Sequence, residues 1–248
     1  MGQTSPPLTG DPPIIDSPSP NFNERTLPVS MVVLHYTGMK SCAAAHDRLR
    51  DAEAKVSAHY LLAEDGTIMR LVDEDKRAWH AGQAYWRGVR DVNSASIGIE
   101  ICNPGQEWGY EEFTGAQLES LKALLPGILS RHDIGPENVI GHSDIAPDRK
   151  IDPGEKFFWP ELADAGLAES IPEAVTDPGW SDLGVKRALE RFGYEARDLP
   201  AAVSAFQRRW RPADFSGTID AETRAILLAL LLRRSEADLV LGTEPPRI

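Results

Sequence analysis

The stretch Ser96-Ile97-Gly98-Ile99-Glu100-Ile101-Cys102 decides the architecture. Its alternation is the two-residue period of a β-strand. Ile97, Ile99 and Ile101 point to one side, and Gly98, Glu100 and Cys102 to the other. Working outward, Met31-Val32-Val33-Leu34-His35-Tyr36 reads as a second buried strand, and Asn138-Val139-Ile140 as a short third one. Ser57 to Leu62 and Thr67 to Val72 flank Glu64-Asp65-Gly66 and form a predicted hairpin. Ala43 to Lys55 carries helix formers. Thr114 with Gln117 makes a capping box that opens a helix to about residue 131. Its apolar stripe is Leu118, Leu121, Leu125 and Ile128, and Pro126 is predicted to kink it. Strands and helices intermix without strict alternation, so the expected fold is α/β, a central mixed β-sheet flanked by helices.

Residues 1–28 hold seven prolines and few large apolar residues, and read as an extended arm. The α/β domain is expected over 29–170. Residues 171–180, with two prolines and a glycine, read as a linker. A small C-terminal three-helix domain follows over 181–236, with helices near 182–192, 199–210 and 220–234 and Asp220 as an N-cap. Residues 237–248 read as a frayed tail.

The chain has 248 residues, is 42% hydrophobic and carries a net charge of −12. The charge argues against a nucleic-acid partner, and no basic run addresses an anionic membrane surface. The longest apolar run, Ala225 to Leu232, is too short to span a bilayer. Two cysteines, Cys42 and Cys102, do not make a disulfide framework, so a reducing compartment is expected. The N-terminus lacks the basic start and apolar stretch of a secretory signal, which also points to the cytoplasm.

The chemistry centres on Gly141-His142-Ser143-Asp144-Ile145-Ala146-Pro147-Asp148-Arg149-Lys150-Ile151-Asp152-Pro153-Gly154, a loop rich in prolines and small residues. His142 and Asp152 in this loop, with His35 at the end of a strand, would give three protein ligands and leave a position open, the pattern of a catalytic zinc site. Fe(II) sites also use two histidines and a carboxylate. A metal there lowers the pKa of its bound water and polarises a carbonyl oxygen. Glu100 is the candidate base, and Lys150 the fixed charge for an oxyanion. Each residue alone has a plainer reading: a structural histidine, a solvent-facing glutamate, an Asp-Pro-Gly turn. Their joint occurrence carries the case.

At that joint level the chain resembles the zinc-dependent N-acetylmuramoyl-L-alanine amidases, the group that also includes peptidoglycan recognition proteins and a phage lysozyme-like amidase. The resembling segments are Val33-Leu34-His35-Tyr36, Val56-Ser57-Ala58-His59-Tyr60, Asp75-Lys76-Arg77-Ala78-Trp79-His80-Ala81-Gly82, Ser96-Ile97-Gly98-Ile99-Glu100 and the loop from Gly141 to Gly154. They recur in family order over roughly residues 30–162. The resemblance implies zinc on His35, His142 and Asp152, catalytic Glu100 and Lys150, and cleavage of the amide between N-acetylmuramic acid and L-alanine of the stem peptide. The expected partners are muropeptides or peptidoglycan fragments.

Within the family, the segments around Trp79 and Arg149 look most like the cytoplasmic amidases of wall recycling, which act on 1,6-anhydro-muramyl peptides. The short stretch between His35 and His59 and the appended domain are shared with envelope members. An envelope autolysin acting on intact peptidoglycan, in the periplasm or envelope, is therefore the alternative. A second alternative is a recognition protein that binds without cutting. The appended domain resembles the three-helix peptidoglycan-binding module through Leu189, Phe192-Gly193-Tyr194, Ala202-Val203, Ala205-Phe206-Gln207-Arg208, Gly217-Thr218-Ile219-Asp220 and Thr223. Trp79 and His80 are expected on the cleft wall. Arg90, with Asn93 beside it, is the candidate for stem-peptide carboxylates, Arg87 being equally open. Cys102 reads as a small buried residue, His59 as a core or supporting histidine, and His132 as a cation at a helix C-terminus. Cys42 with His46 is not read as a metal pair, since no further ligand lies near.

Overall fold

The structure, a computed structural model, describes residues 13–173 and 175–241. The described strands are β1 Ile14–Asp16, β2 Phe22–Glu24, β3 Met31–Tyr36, β4 Tyr60–Leu62, β5 Ile68–Arg70, β6 Lys76–Ala78, β7 Ser96–Ile101 and β8 Val139–Gly141. The helices are α1 Cys42–Arg50, α2 Val92–Ala95, α3 Gly105–Trp108, α4 Gly115–His132, α5 His142–Ile145, α6 Trp159–Asp164, α7 Asp182–Phe192, α8 Leu199–Trp210 and α9 Ala221–Leu241.

Six strands form one sheet in the order β1-β5-β4-β7-β3-β8, and β2 pairs with β6 in a separate ribbon. The sheet is mixed: β4 and β5 are antiparallel, while β4, β7, β3 and β8 run parallel. This is the expected α/β sheet, and the predicted hairpin is β4–β5. The three isoleucines of β7 lie in the main core with Val32, Leu34, Val139 and the α4 residues Leu121, Leu124, Leu125 and Ile128. Leu124 takes the place expected of Leu118, which is only partly buried against this core. The capping box of Thr114 and Gln117 is formed, and α4 runs unbroken through Pro126 to His132. On the opposite face of the sheet, Leu49 of α1 packs with Leu61, Leu71 and Cys102.

The proline-rich arm, expected to be extended, is paired with the domain in its described part. Its described part supplies β1, parallel to β5, and β2, antiparallel to β6. Asn21 is buried and donates from Nδ2 to the Asp51 and Val56 carbonyls, both at 2.8 Å. Arg25 donates to the Ser94 carbonyl at 2.6 Å. Residues 1–12 of the arm, residue 174 of the expected linker and residues 242–248 of the expected tail lie outside the described residues.

Two compact units emerge. Among the described residues, the first comprises 13–84, 91–142 and 152–170, and the second 85–90, 143–151, 171–173 and 175–241. The second unit therefore also claims two segments that the sequence reading put in the first domain. Its interior is aromatic: the rings of Trp86 and Tyr194 lie 5.2 Å apart, and those of Phe192 and Trp210 5.9 Å. It also buries an ion pair, Arg209 with Asp144 at 3.1 Å, and the Tyr194 hydroxyl donates to the same carboxylate. The α9 N-cap at Asp220 is formed, accepting from the Thr223 N–H at 2.8 Å.

Candidate metal centre

Strand register builds the site. His35 pairs with Glu100 across β3 and β7, and Val33 pairs with Ile140 across β3 and β8. Partners across parallel strands face the same side, with strands ~4.8 Å apart. His35 and Glu100 thus project together from the face opposite the isoleucine layer, at the C-terminal ends of parallel strands, where open α/β sheets place their sites. His142 follows directly on β8 as the first residue of α5, so it stands at the same C-terminal end of the parallel strands.

Asp152 closes the group. His35 Nδ1 and His142 Nδ1 are 2.9 Å apart, and Asp152 Oδ2 lies 3.1 Å from the first and 3.0 Å from the second. The three residues are only 1%, 3% and 6% exposed, respectively. His142 gives its Nε2 proton to the Ala81 carbonyl at 3.1 Å, which leaves Nδ1 as a bare acceptor. A bare imidazole nitrogen and a carboxylate oxygen facing each other in a buried site repel unless a cation sits between them. Two histidines and an aspartate are the donor set that zinc accepts.

The remaining candidates separate. Glu100 is half-buried on β7. Lys150 is half-buried, its N–H donating to the Ala146 carbonyl at 3.0 Å, and it belongs to the second unit. Trp79 is half-buried, and its indole N–H donates to Asn23 of the arm at 2.6 Å. His80, expected on the cleft wall, and Asn93, expected beside Arg90 as a substrate contact, face inward. Both are buried, because their polar atoms are used inside the molecule. Asn93 Oδ1 accepts from the His80 and Ala81 N–H groups at 3.0 and 2.8 Å. The His80 ring lies behind His35, with Nδ1 3.0 Å from His35 Nε2. Burial, and next the His35, His59 and His142 imidazoles, push its pKa well below normal, so it is neutral. Arg90 is in the second unit and pairs there with Glu195 at 2.8 Å.

His59 is fully buried. Its Nδ1 accepts from the Gly98 N–H at 2.9 Å, and burial, followed by the Arg25 charge, lowers its pKa to about 3. His132 ends α4 as expected, and its partner is Glu74 at 2.7 Å. The cysteine reading needs correction: Cys42 and Cys102 are joined in a disulfide, with Cα atoms 5.2 Å apart. The N-terminus of α1 lies over the end of β7, a proximity that a spacing of 60 residues does not announce.

Comparison with known proteins defines the class. Residues 25–155, more than half of the chain, match the family model for N-acetylmuramoyl-L-alanine amidase. The N-acetylmuramoyl-L-alanine amidase AmiD of Escherichia coli (strain K12) is 35% identical over 237 residues, covering 82% of this chain and 82% of that one. The 1,6-anhydro-N-acetylmuramyl-L-alanine amidase AmpD of Salmonella typhimurium (strain SL1344) is 41% identical over 111 residues, 45% of this chain and 57% of that one. Among solved structures, E. coli AmiD in complex with anhydro-N-acetylmuramic acid-L-Ala-D-gamma-Glu-L-Lys superposes with a TM-score of 0.75 at 31% identity, covering 86% of this chain and 98% of that one. Pseudomonas aeruginosa AmpDh3 with an anhydromuramic pentapeptide gives 0.73 at 33% identity, with coverage of 83% and 92%.

The fold and the site define an amide hydrolase whose His-His-Asp group can hold a metal ion. This chain belongs to the N-acetylmuramoyl-L-alanine amidase family.

Proposed function

We propose that this protein hydrolyses the amide between N-acetylmuramic acid, in its 1,6-anhydro form, and the L-alanine of the stem peptide, in peptidoglycan recycling. The observation that carries the reading is the convergence of His35, His142 and Asp152 within 3.1 Å of one another, buried beside the strand that bears Glu100. The anhydro-muramyl peptides bound by the E. coli and P. aeruginosa relatives support the substrate class.

His35, His142 and Asp152 would hold zinc, which acidifies a water and polarises the amide carbonyl. Glu100 takes the proton of the attacking water and returns it to the departing alanine nitrogen. Lys150 stabilises the negative charge that develops on the carbonyl oxygen. Trp79 and Arg90 remain the candidates for contacting the substrate. The resemblance of the second unit to a peptidoglycan-binding module rests on residues that fold it: Leu189, Phe192, Tyr194, Ala202, Val203 and Phe206 are buried. Gln207 ties Thr218 and Thr223 together at 2.8 and 2.9 Å.

The Cys42–Cys102 disulfide supports an oxidising compartment, which favours the periplasmic or envelope alternative over the expected cytoplasm. No helix among the described residues is long and apolar enough to cross a membrane.

Product analysis by mass spectrometry tests the function. The purified enzyme is given anhydro-muramyl tripeptide and, separately, intact sacculi, with Glu100→Ala as control. Release of free tripeptide by the wild type alone, with little action on sacculi, is expected. Comparable cleavage of sacculi would shift the function to wall remodelling, and cleavage of neither would leave a recognition protein.

A further inference from the structure

A histidine binds a metal only through a nitrogen that carries no proton, so the proton of His35 must stay on Nε2 if Nδ1 is the ligand. His35 Nε2 faces His80 Nδ1 at 3.0 Å. His80 Nε2 faces Ser96 Oγ at 3.2 Å. Ser96 has one hydroxyl proton and donates it to the Val92 carbonyl at 2.6 Å. A carbonyl only accepts, which fixes every later link. Ser96 Oγ must accept from His80 Nε2–H. His80 is then bare at Nδ1 and accepts from His35 Nε2–H. His35 Nδ1 is left bare, facing His142 and Asp152.

We infer that His80 and Ser96 form a relay, anchored on the Val92 carbonyl, that fixes the tautomer of His35 and presents its Nδ1 to the metal. The inference rests on the reading of His35 as a zinc ligand. His80 is thus a positioning residue rather than a wall of the substrate cleft. The two histidine ligands are set by different means: His142 leans on a backbone carbonyl, and His35 on a second imidazole. Two further features hold the relay. A Cβ on Gly98 would lie 2.4 Å from the His80 ring, so only glycine leaves room for it on β7. Asn93 Oδ1 binds the N–H groups of His80 and Ala81, fixing the short segment that supports both ligands.

The test is ring-nitrogen NMR on the zinc-loaded, 15N-histidine-labelled protein, together with zinc affinity by chelator competition. The expected spectrum shows His80 protonated at Nε2 only. In His80→Phe the acceptor is lost while a ring remains, and zinc affinity falls ~10–100-fold. His80→Asn places an amide oxygen near the lost Nδ1 and recovers most of that loss. Ser96→Ala gives an intermediate loss and a His80 population protonated at Nδ1. A wild-type His80 with its proton on Nδ1, or a folded His80→Phe with wild-type affinity, would overturn the relay. If His80→Phe does not fold, the wild-type spectrum and Ser96→Ala decide. Failure of the wild-type protein to bind zinc is a separate result, which defeats the zinc reading itself.

Discussion

Glu100 and His35 stand side by side because one register pairs them across β3 and β7; a slip of one residue would send Glu100 into the isoleucine core. Replacing Glu100 with Gln keeps the shape and removes the base. Steady-state kinetics should show kcat reduced at least ~10²-fold, with zinc affinity nearly unchanged. A second residue-level expectation concerns acid. His59 has a folded pKa of about 3 against an ordinary value of 6.5. The unfolded chain therefore takes up the proton first. The stability that His59 contributes is complete above pH ~6.5 and declines by up to ~1.4 kcal/mol per pH unit as pH falls toward the folded value. Denaturant unfolding at a series of pH values should show a shallower slope in His59→Gln. Glu100 was legible in the sequence because strand alternation separated it from Ile97, Ile99 and Ile101. His35, His142 and Asp152 were legible from their chemistry taken jointly. The inward turn of His80 was not, since nothing in Trp79-His80-Ala81 says which neighbour points in. The missed signal was Gly98: a glycine in mid-strand marks a close approach, here that of the His80 ring.

Among the elements, α1 and β7 carry the link that sequence reading missed. The disulfide joins positions 60 apart, and such a loop closure is worth up to ~4 kcal/mol on the chain-entropy model. Urea unfolding of Cys42→Ser/Cys102→Ser, compared with the oxidised wild type, should show a lower midpoint and a loss approaching that value. An unchanged midpoint would show that packing of α1 alone holds this corner. The α4 C-terminus adds a polar clamp: Arg131 and His132 bind Glu74 at 2.7 Å each, and the Tyr60 hydroxyl does so at 2.7 Å. Burial alone would raise the Glu74 carboxyl, but the hydrogen bonds from His132, Arg131 and Tyr60 and the Arg131 charge hold it well below the usual range. Its stabilisation is therefore present above pH ~4.3 and is lost only in stronger acid. The helix itself was legible because Thr114 and Gln117 announce its start. The anchoring of the arm was not, because strands as short as β1 and β2 lack a periodic pattern and are fixed by partners distant in the chain.

For the molecule as a whole, the sequence conveyed the mixed sheet and the C-terminal helices, but not the membership of residues 85–90 and 143–151 in the second unit. Those segments carry Trp86 and Asp144, whose partners Tyr194, Phe192 and Arg209 lie far along the chain. Arg209→Met removes the guanidinium from the buried Asp144 carboxylate and should cost ~3 kcal/mol, read as a lower midpoint in denaturant melts. The metal centre, by contrast, draws all three proposed ligands from the first unit. The most direct test of the account is a crystal of the zinc-loaded protein and an anomalous difference map at the zinc edge. One peak per chain is expected, bonded to Nδ1 of His35, Nδ1 of His142 and a carboxylate oxygen of Asp152. No peak there, or a peak bonded through Nε2 of either histidine, would contradict it.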